Sequence, residues 1–496
     1  MLRSEPFPGP GLAGALQVTP GQRVLVVSIT GFFLTLPLAN TLTLDLGFPL
    51  TVAHLFSVVV AVTLLRSDGF RPRLVTWLPA SLFAAFCIVY AFSFVSNLGT
   101  DVHQYPWAIG RNAPGIRSTT KLLWLIGNVA IAVLIANGVR RTHSEGRAIR
   151  ALALGAVLSA LYGLYQVIGE THGVFVPVLP GTGFIIGSPS YWIVLRAKST
   201  FLEPSFFGAY LAAAVPFVAV GWMHASTRGQ TGTRTTILML STVIAGIVVT
   251  FAIGGWLPAA IAGIALLALS GPIGVRALAL RVGASALIAA VVIVVLIPAV
   301  PHAVSVLFYK GAIGSGVVAL PSTAPSATAG PEDLSPAAAE RSATERSATA
   351  KAAFGMFASS PIVGIGPGNF GLRYPEFRPL GVAEPTQLLI ANNIYLEVLA
   401  ESGLVGFLAF FGGFLGLVIL ATRAYRREEG RNRMELGAGL AALAAIAVAF
   451  LTSPTFTLLY QWAILGLVAA FVARSQRSSA PSGQTPKLDS ADSPAR

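Results

Sequence analysis

Charge is scarce in this chain. Only 11% of its 496 residues are Asp, Glu, Lys or Arg, where a soluble domain carries about 25%. That shortage excludes a chain built of water-soluble domains, although the length alone would allow about three. Cysteine is scarcer still. Cys87 stands alone, so no disulfide framework forms within one chain. There is no Cys/His spacing that would hold zinc, no phosphate loop with its lysine and no nucleophile elbow. Those absences remove the commoner metal, nucleotide and acyl-transfer chemistries.

Apolar sequence is abundant instead. Hydrophobic residues make up 54% of the chain, in runs near the length of about 20 that crosses a bilayer as a helix. The runs fall near 23–39, 47–65, 75–96, 119–137, 148–168, 204–223, 235–253, 256–271, 281–301, 394–422, 435–452 and 456–474. The expected fold is all-α: a polytopic helical bundle of about twelve spans. The predicted organisation is an N-terminal segment 1–22, spans one to nine over 23–301, a large loop 302–393, spans ten to twelve over 394–474 and a Ser/Pro-rich, disordered tail 475–496. The first run has no cleavage site before it and reads as an uncleaved helix.

Net charge is +13. In a membrane chain this balance points to anionic lipid and not to nucleic acid. Short loops after even-numbered spans hold the basic clusters, among them Arg66, Arg71 and Arg73, then Arg140, Arg141, Arg147 and Arg150, then Arg423, Arg426 and Arg427. Basic short loops face the cytoplasm. Both termini are then expected in the cytoplasm of an inner-membrane protein, with 302–393 outside. Arg196 and Lys198 break the pattern, because they lie in an outer loop just before span six. Anion binding is one reason for a basic pair there, and snorkelling anchors are the bland one.

The loop 302–393 is the largest place where this chain reaches water. Ser335-Pro336 reads as an N-cap with proline at the first helical position, opening a helix to about Ser359. That helix carries Arg341 and Arg346, about 140° apart around its axis, and Lys351. A turn-rich run follows, Pro361-Ile362-Val363-Gly364-Ile365-Gly366-Pro367-Gly368-Asn369-Phe370, then Arg373 and Arg378. The alternating glycines suit either backbone amides approaching an anion or a tight turn back to the membrane. Span ten opens with Asn392-Asn393-Ile394-Tyr395-Leu396-Glu397. Glu397 and Glu401 are four apart, on one helix face, and the loop's arginines are their expected partners. Glu203, just before Pro204, is either a helix-start charge or a carboxylate that orients a cation or accepts a proton. His54, alone inside span two, reads as a satisfied bundle residue.

Together these segments resemble the O-antigen ligase and O-antigen polymerase family of bacterial envelope enzymes. The carriers are Arg196-Ala197-Lys198-Ser199-Thr200-Phe201-Leu202-Glu203-Pro204-Ser205, then Pro361 to Phe370, then Asn392-Asn393-Ile394-Tyr395-Leu396 with Glu401-Ser402-Gly403. The family's ligases place a histidine where Asn392 stands, and often a Ser-Arg pair where Ala252-Ile253 stand, so the likeness leans to the polymerases. The resemblance implies a GT-C-like, metal-independent, inverting glycosyltransferase without a cofactor. Its donor would be a polyprenyl-pyrophosphate-linked glycan, its acceptor another glycan or lipid, and its further partners membrane lipids and other polysaccharide assembly proteins. Carried over residue by residue, it makes Arg196, Arg341 and Glu203 the catalytic candidates. Lys198, Arg346, Arg373, Asn369, Asn392, Asn393, Tyr395 and Glu397 become the substrate-binding candidates. Two other classes fit the same chain: a transporter or flippase of a polar or lipid-linked solute, and a non-catalytic assembly protein.

Overall fold

The computed structural model describes residues 19–38, 41, 44–45, 49–67, 77–99, 113–176, 196–221, 231–297, 336–380, 382, 389–453 and 455–478. Among them run fourteen helices: α1 Pro20–Thr35, α2 Val52–Leu65, α3 Trp77–Ser96, α4 Pro114–Thr142, α5 Glu145–Thr171, α6 Pro204–Gly221, α7 Thr231–Val248, α8 Ile253–Leu269, α9 Gly271–Leu296, α10 Pro336–Ser359, α11 Phe370–Phe377, α12 Ile394–Arg427, α13 Gly430–Ala449 and α14 Leu459–Ser478. A two-residue antiparallel pair, Leu44–Asp45 with Pro49–Leu50, precedes α2. It takes the place of the first turn of the predicted span there.

Local chemistry sets the helix starts. Thr19 accepts from the Gln22 backbone N–H while the Gln22 side chain accepts from the Thr19 N–H, closing a capping box in front of Pro20. His54 does the same for α2: its Nδ1 receives the Thr51 N–H at 3.1 Å, and its ring lies edge-on to Trp124. The lone intramembrane histidine is a capping residue.

Every predicted span has a helix at its place. Among the described residues seven helices are long and apolar enough to cross a membrane, by length and composition: α3, α4, α5, α6, α9, α12 and α13. The protein is a multi-pass membrane protein. Large apolar side chains face outward along it, such as Ile88, Leu287 and Val295, which is where lipid replaces water. Lipid gives helices no hydrophobic drive toward each other, so small residues let backbones approach. An ideal Cβ on Gly208 of α6 would lie 2.8 Å from the Gly255 Cα of α8. Alanine at either position would force these helices apart. α6 is the most enclosed of these seven spans, and an aromatic cluster of Phe83, Phe86, Phe410, Phe456 and Trp462 joins α3, α12 and α14.

Candidate functional site

α12 is continuous in sequence but broken in space. Gly403 has φ 63° and ψ −168°, a region that essentially only glycine occupies. The break frees backbone groups on both sides, and the glycine run of the loop takes them. Leu404 N–H donates to the Pro361 carbonyl at 2.8 Å, while the Ala400 and Glu401 carbonyls accept from Ile365 N–H at 3.0 Å and Gly366 N–H at 3.1 Å. The approach is too close for a side chain: an ideal Cβ on Gly364 would lie 2.3 Å from the Glu401 carbonyl carbon. Pro361–Asn369 is therefore a turn seated in the break, the second of the two sequence readings.

The break carries an ionic centre. Glu397 and Glu401 face Lys121 of α4, which bonds Glu397 Oε1 and reaches Glu401 Oε2 at 2.7 Å. Tyr90 of α3 donates its hydroxyl to the same Glu401 oxygen at 2.5 Å. Glu397, Glu401 and Tyr90 are 3%, 1% and 0% exposed. The ammonium also stands 5.5 Å from the Phe456 ring centre, inside cation–π range. Glu397 Oε2 is buried and has no hydrogen-bond partner among the described residues. Among the described residues the cation these carboxylates meet is Lys121, where the sequence suggested the loop arginines.

Polar side chains around this centre tie the turn to α3 and α4. Ser93 Oγ donates to the Glu401 carbonyl at 2.9 Å, and Asn97 Nδ2 donates to the Gly364 carbonyl at 3.3 Å. Arg117 Nε donates to the Gly368 carbonyl at 3.1 Å and Ser118 Oγ to Asn369 Oδ1 at 3.2 Å. Asn369 is held at both ends, because its Nδ2 donates to Ile365 O at 2.8 Å. Arg117 and Lys121 share a face of α4 by their spacing of four, so one helix serves both the turn and the carboxylates.

The basic pair before α6 sits in the same end of the bundle. Ala197 N–H donates to Val249 O at 2.8 Å and Arg196 Nε to Thr250 O at 3.1 Å, which docks the segment on the turn that opens α8. Lys198 is buried. Glu203 is exposed, and Ser205 Oγ donates to its Oε2 at 3.0 Å. Gly254 of α8 lies between Ser205 and Thr452, and Ile394 N–H donates to Phe450 O at 2.8 Å. The starts of α6, α8 and α12 and the end of α13 therefore converge.

The other predicted residues are spread around this convergence. Asn393 caps α12, its Oδ1 accepting from Leu396 N–H at 3.2 Å. Asn392, half-buried with φ 51°, has no side-chain partner among the described residues. Tyr395 donates to Ala447 O at 2.9 Å and stacks on Phe411. Arg373 forks onto Glu376 at 2.8 and 3.0 Å and lies over Phe377. Arg346 is exposed on α10. Arg341 lies on α10 with its side chain outside the described residues, as are 302–335 and 177–195. Burial pushes the Tyr374 phenol beside this region above its ordinary range, so it stays a neutral donor. Among the described residues no group of three His, Cys, Asp or Glu is placed to hold a metal.

Lys121, Tyr90 and Arg117 had no prominence in the sequence. Lys121 heads an apolar run and looks like an interfacial anchor. The signal that could have found it is its position inside a span, where a cation needs a partner.

The fold and the site define a multi-pass membrane protein that gathers cations and carboxylates at one end of its bundle. A model of the O-antigen ligase family matches residues 238–411. That stretch, about a third of the chain, runs from α7 through the loop helix and the turn into α12. The chain carries an O-antigen ligase-like domain there, and its function is of the membrane O-antigen ligase or polymerase type. Comparison with curated proteins gives no match.

Proposed function

We propose that the protein is an inverting, metal-independent glycosyltransferase of the polymerase kind. It takes a polyprenyl-pyrophosphate-linked glycan at the outer face of the cytoplasmic membrane and joins it to an acceptor glycan. In this reading twelve helices span the membrane, both termini are cytoplasmic, and 302–393 lies outside. The observation that carries the reading is the docking of Arg196 on Thr250, inside the matched stretch. It supports a basic site shared by the start of α6 and the O-antigen ligase-like part.

The chemistry follows from charge. The leaving group is a lipid pyrophosphate, and positioned cations stabilise the charge that grows on its oxygen. Arg196 and Arg341 take that role with planar donor forks that stay charged, and Lys198 and Arg346 add to the field. Glu203, next to this basic approach, orients its cations or accepts a proton. Asn392 supplies a neutral amide that orients a sugar hydroxyl but takes no proton near pH 7. Transfer to a lipid core acceptor is the ligase form of the same reaction.

The broken helix favours one second reading. Transporters build their sites from discontinuous helices, so a flippase for the same lipid-linked glycan also fits α12. One experiment separates them: purified protein, polyprenyl-pyrophosphate-linked glycan and acceptor, with product length read on a gel. New glycosidic bonds that vanish in Arg196→Ala and Arg341→Ala are expected. Undiminished product in both variants removes the pyrophosphate role, and movement of the lipid without product establishes the transporter.

A further inference from the structure

The geometry points to Glu397 as the carboxylate that takes the proton of the acceptor hydroxyl, with Lys121 as its positioning residue. This rests on the reaction proposed above and divides the carboxylates within it: Glu203 orients, Glu397 accepts.

Three observations carry the assignment. First, the two oxygens of Glu397 differ. Lys121 holds Oε1, whereas Oε2 is buried without a partner among the described residues. A buried acceptor left unbonded is costly, and folded proteins keep few without a functional reason. Second, the centre is open at its cation, since 14% of the Lys121 side chain stays accessible, while Glu397 Oε2 itself is covered. Third, Glu397 lies one helical turn inside Asn393, its N–H donating to the Asn393 carbonyl at 2.9 Å. Asn392, beside it, has an amide without a partner among the described residues. Asn392 and Glu397 therefore belong to one helix start, and Oε2 is a carboxylate oxygen with no partner among the described residues. Glu203 offers less, because it is exposed and already accepts from Ser205.

In the step, the acceptor hydroxyl oxygen bonds to C1 of the donor sugar. The C1–O bond to the pyrophosphate breaks, and its electron pair leaves on the phosphate oxygen. The hydroxyl proton passes to Glu397 Oε2, directly or through one water. Lys121 fixes the other oxygen, and Glu401, itself held by the Tyr90 hydroxyl, fixes Lys121.

The test uses the purified full chain in the transfer assay. Glu397→Gln is expected to lower kcat about 100-fold or more, the range of a general base, with donor KM within about threefold. Glu203→Gln loses less. Added formate should restore Glu397→Ala at least about tenfold, because a diffusible carboxylate replaces a proton acceptor but not a structural contact. Glu397→Gln activity within threefold of the native chain overturns the assignment, and so does loss without formate recovery. If Glu397→Gln does not fold, Lys121→Met/Glu397→Gln/Glu401→Gln removes the charges as a unit. That variant folded and inactive supports the assignment. Folded and active, or unfolded, it makes the cluster a structural staple and overturns it. A native chain that makes no glycosidic bond fails the proposed reaction itself, a different outcome from an active Glu397→Gln.

Discussion

The bundle has an ionic centre at each end, and they are built oppositely. At the end where α13 begins, buried Glu435 takes Arg431 Nε on Oε1 at 2.7 Å and Arg474 Nη1 on Oε2 at 2.6 Å. One carboxylate meets two guanidiniums, and both its oxygens are bonded. At the other end two carboxylates meet one ammonium, and Glu397 Oε2 is left over. The difference lies between these two carboxylates, since Glu145, which feels the Arg474 and Glu435 charges, also keeps a buried Oε1 without a partner among the described residues. A saturated carboxylate has nothing left to offer a substrate, whereas an unsaturated buried one keeps capacity for chemistry.

Removing Lys121 should break the contrast most strongly. Lys121→Met leaves two buried carboxylates without their cation, a loss of about 3–5 kcal/mol when a buried pair is split. Thermal unfolding in detergent measures it, and an unshifted midpoint would mean that the centre does not hold the fold. Gly403→Ala comes next. The alanine would be forced into a backbone region costing about 1–3 kcal/mol, with its Cβ 2.4 Å from the Ile362 carbonyl carbon. The turn should leave the break, and protease nicking between Pro361 and Asn369 would report it; resistance equal to the native chain would argue against the seating.

The saturated end should respond least. Arg431 is 53% exposed but its partner Glu435 is buried, and Arg474 stays on the other oxygen, so Arg431→Ala leaves one buried oxygen unbonded and should cost about 1–3 kcal/mol, less than Lys121→Met. A loss equal to that of Lys121→Met would erase the distinction drawn here. The last measurement leaves stability untouched and assigns the sides. With Cys87→Ser as background, Ser347→Cys on exposed α10 should react with an impermeant maleimide on intact spheroplasts. Reaction only after lysis would put the site end in the cytoplasm.

Much of this architecture could be read in advance, because the signals were local. Apolar runs predicted the helices, and Ser335-Pro336 predicted the helix that runs Pro336–Ser359. The spacing of Glu397 and Glu401 put both on one face, since a helix returns to a face every four residues. The cation they face could not be read that way. Lys121 is 276 and 280 positions away from them, and the loop arginines lie nearer in sequence. Three alternating glycines said turn or anion cradle, but nothing in them said that the turn would seat in a broken helix.

By itself the sequence determined that this is a helical membrane protein with an O-antigen ligase-like stretch over 238–411, and which residues could carry charge near its loop. Tertiary structure decided which charges meet. Hydrophobic periodicity is written into each helix separately, so it survives reading one segment at a time. Ion pairing depends on which helix ends pack side by side, and that follows from close approaches such as Gly208 on Gly255 and the turn seated at Gly403. A buried carboxylate takes the cation that packing brings within 3 Å or so, however far apart the two lie along the chain.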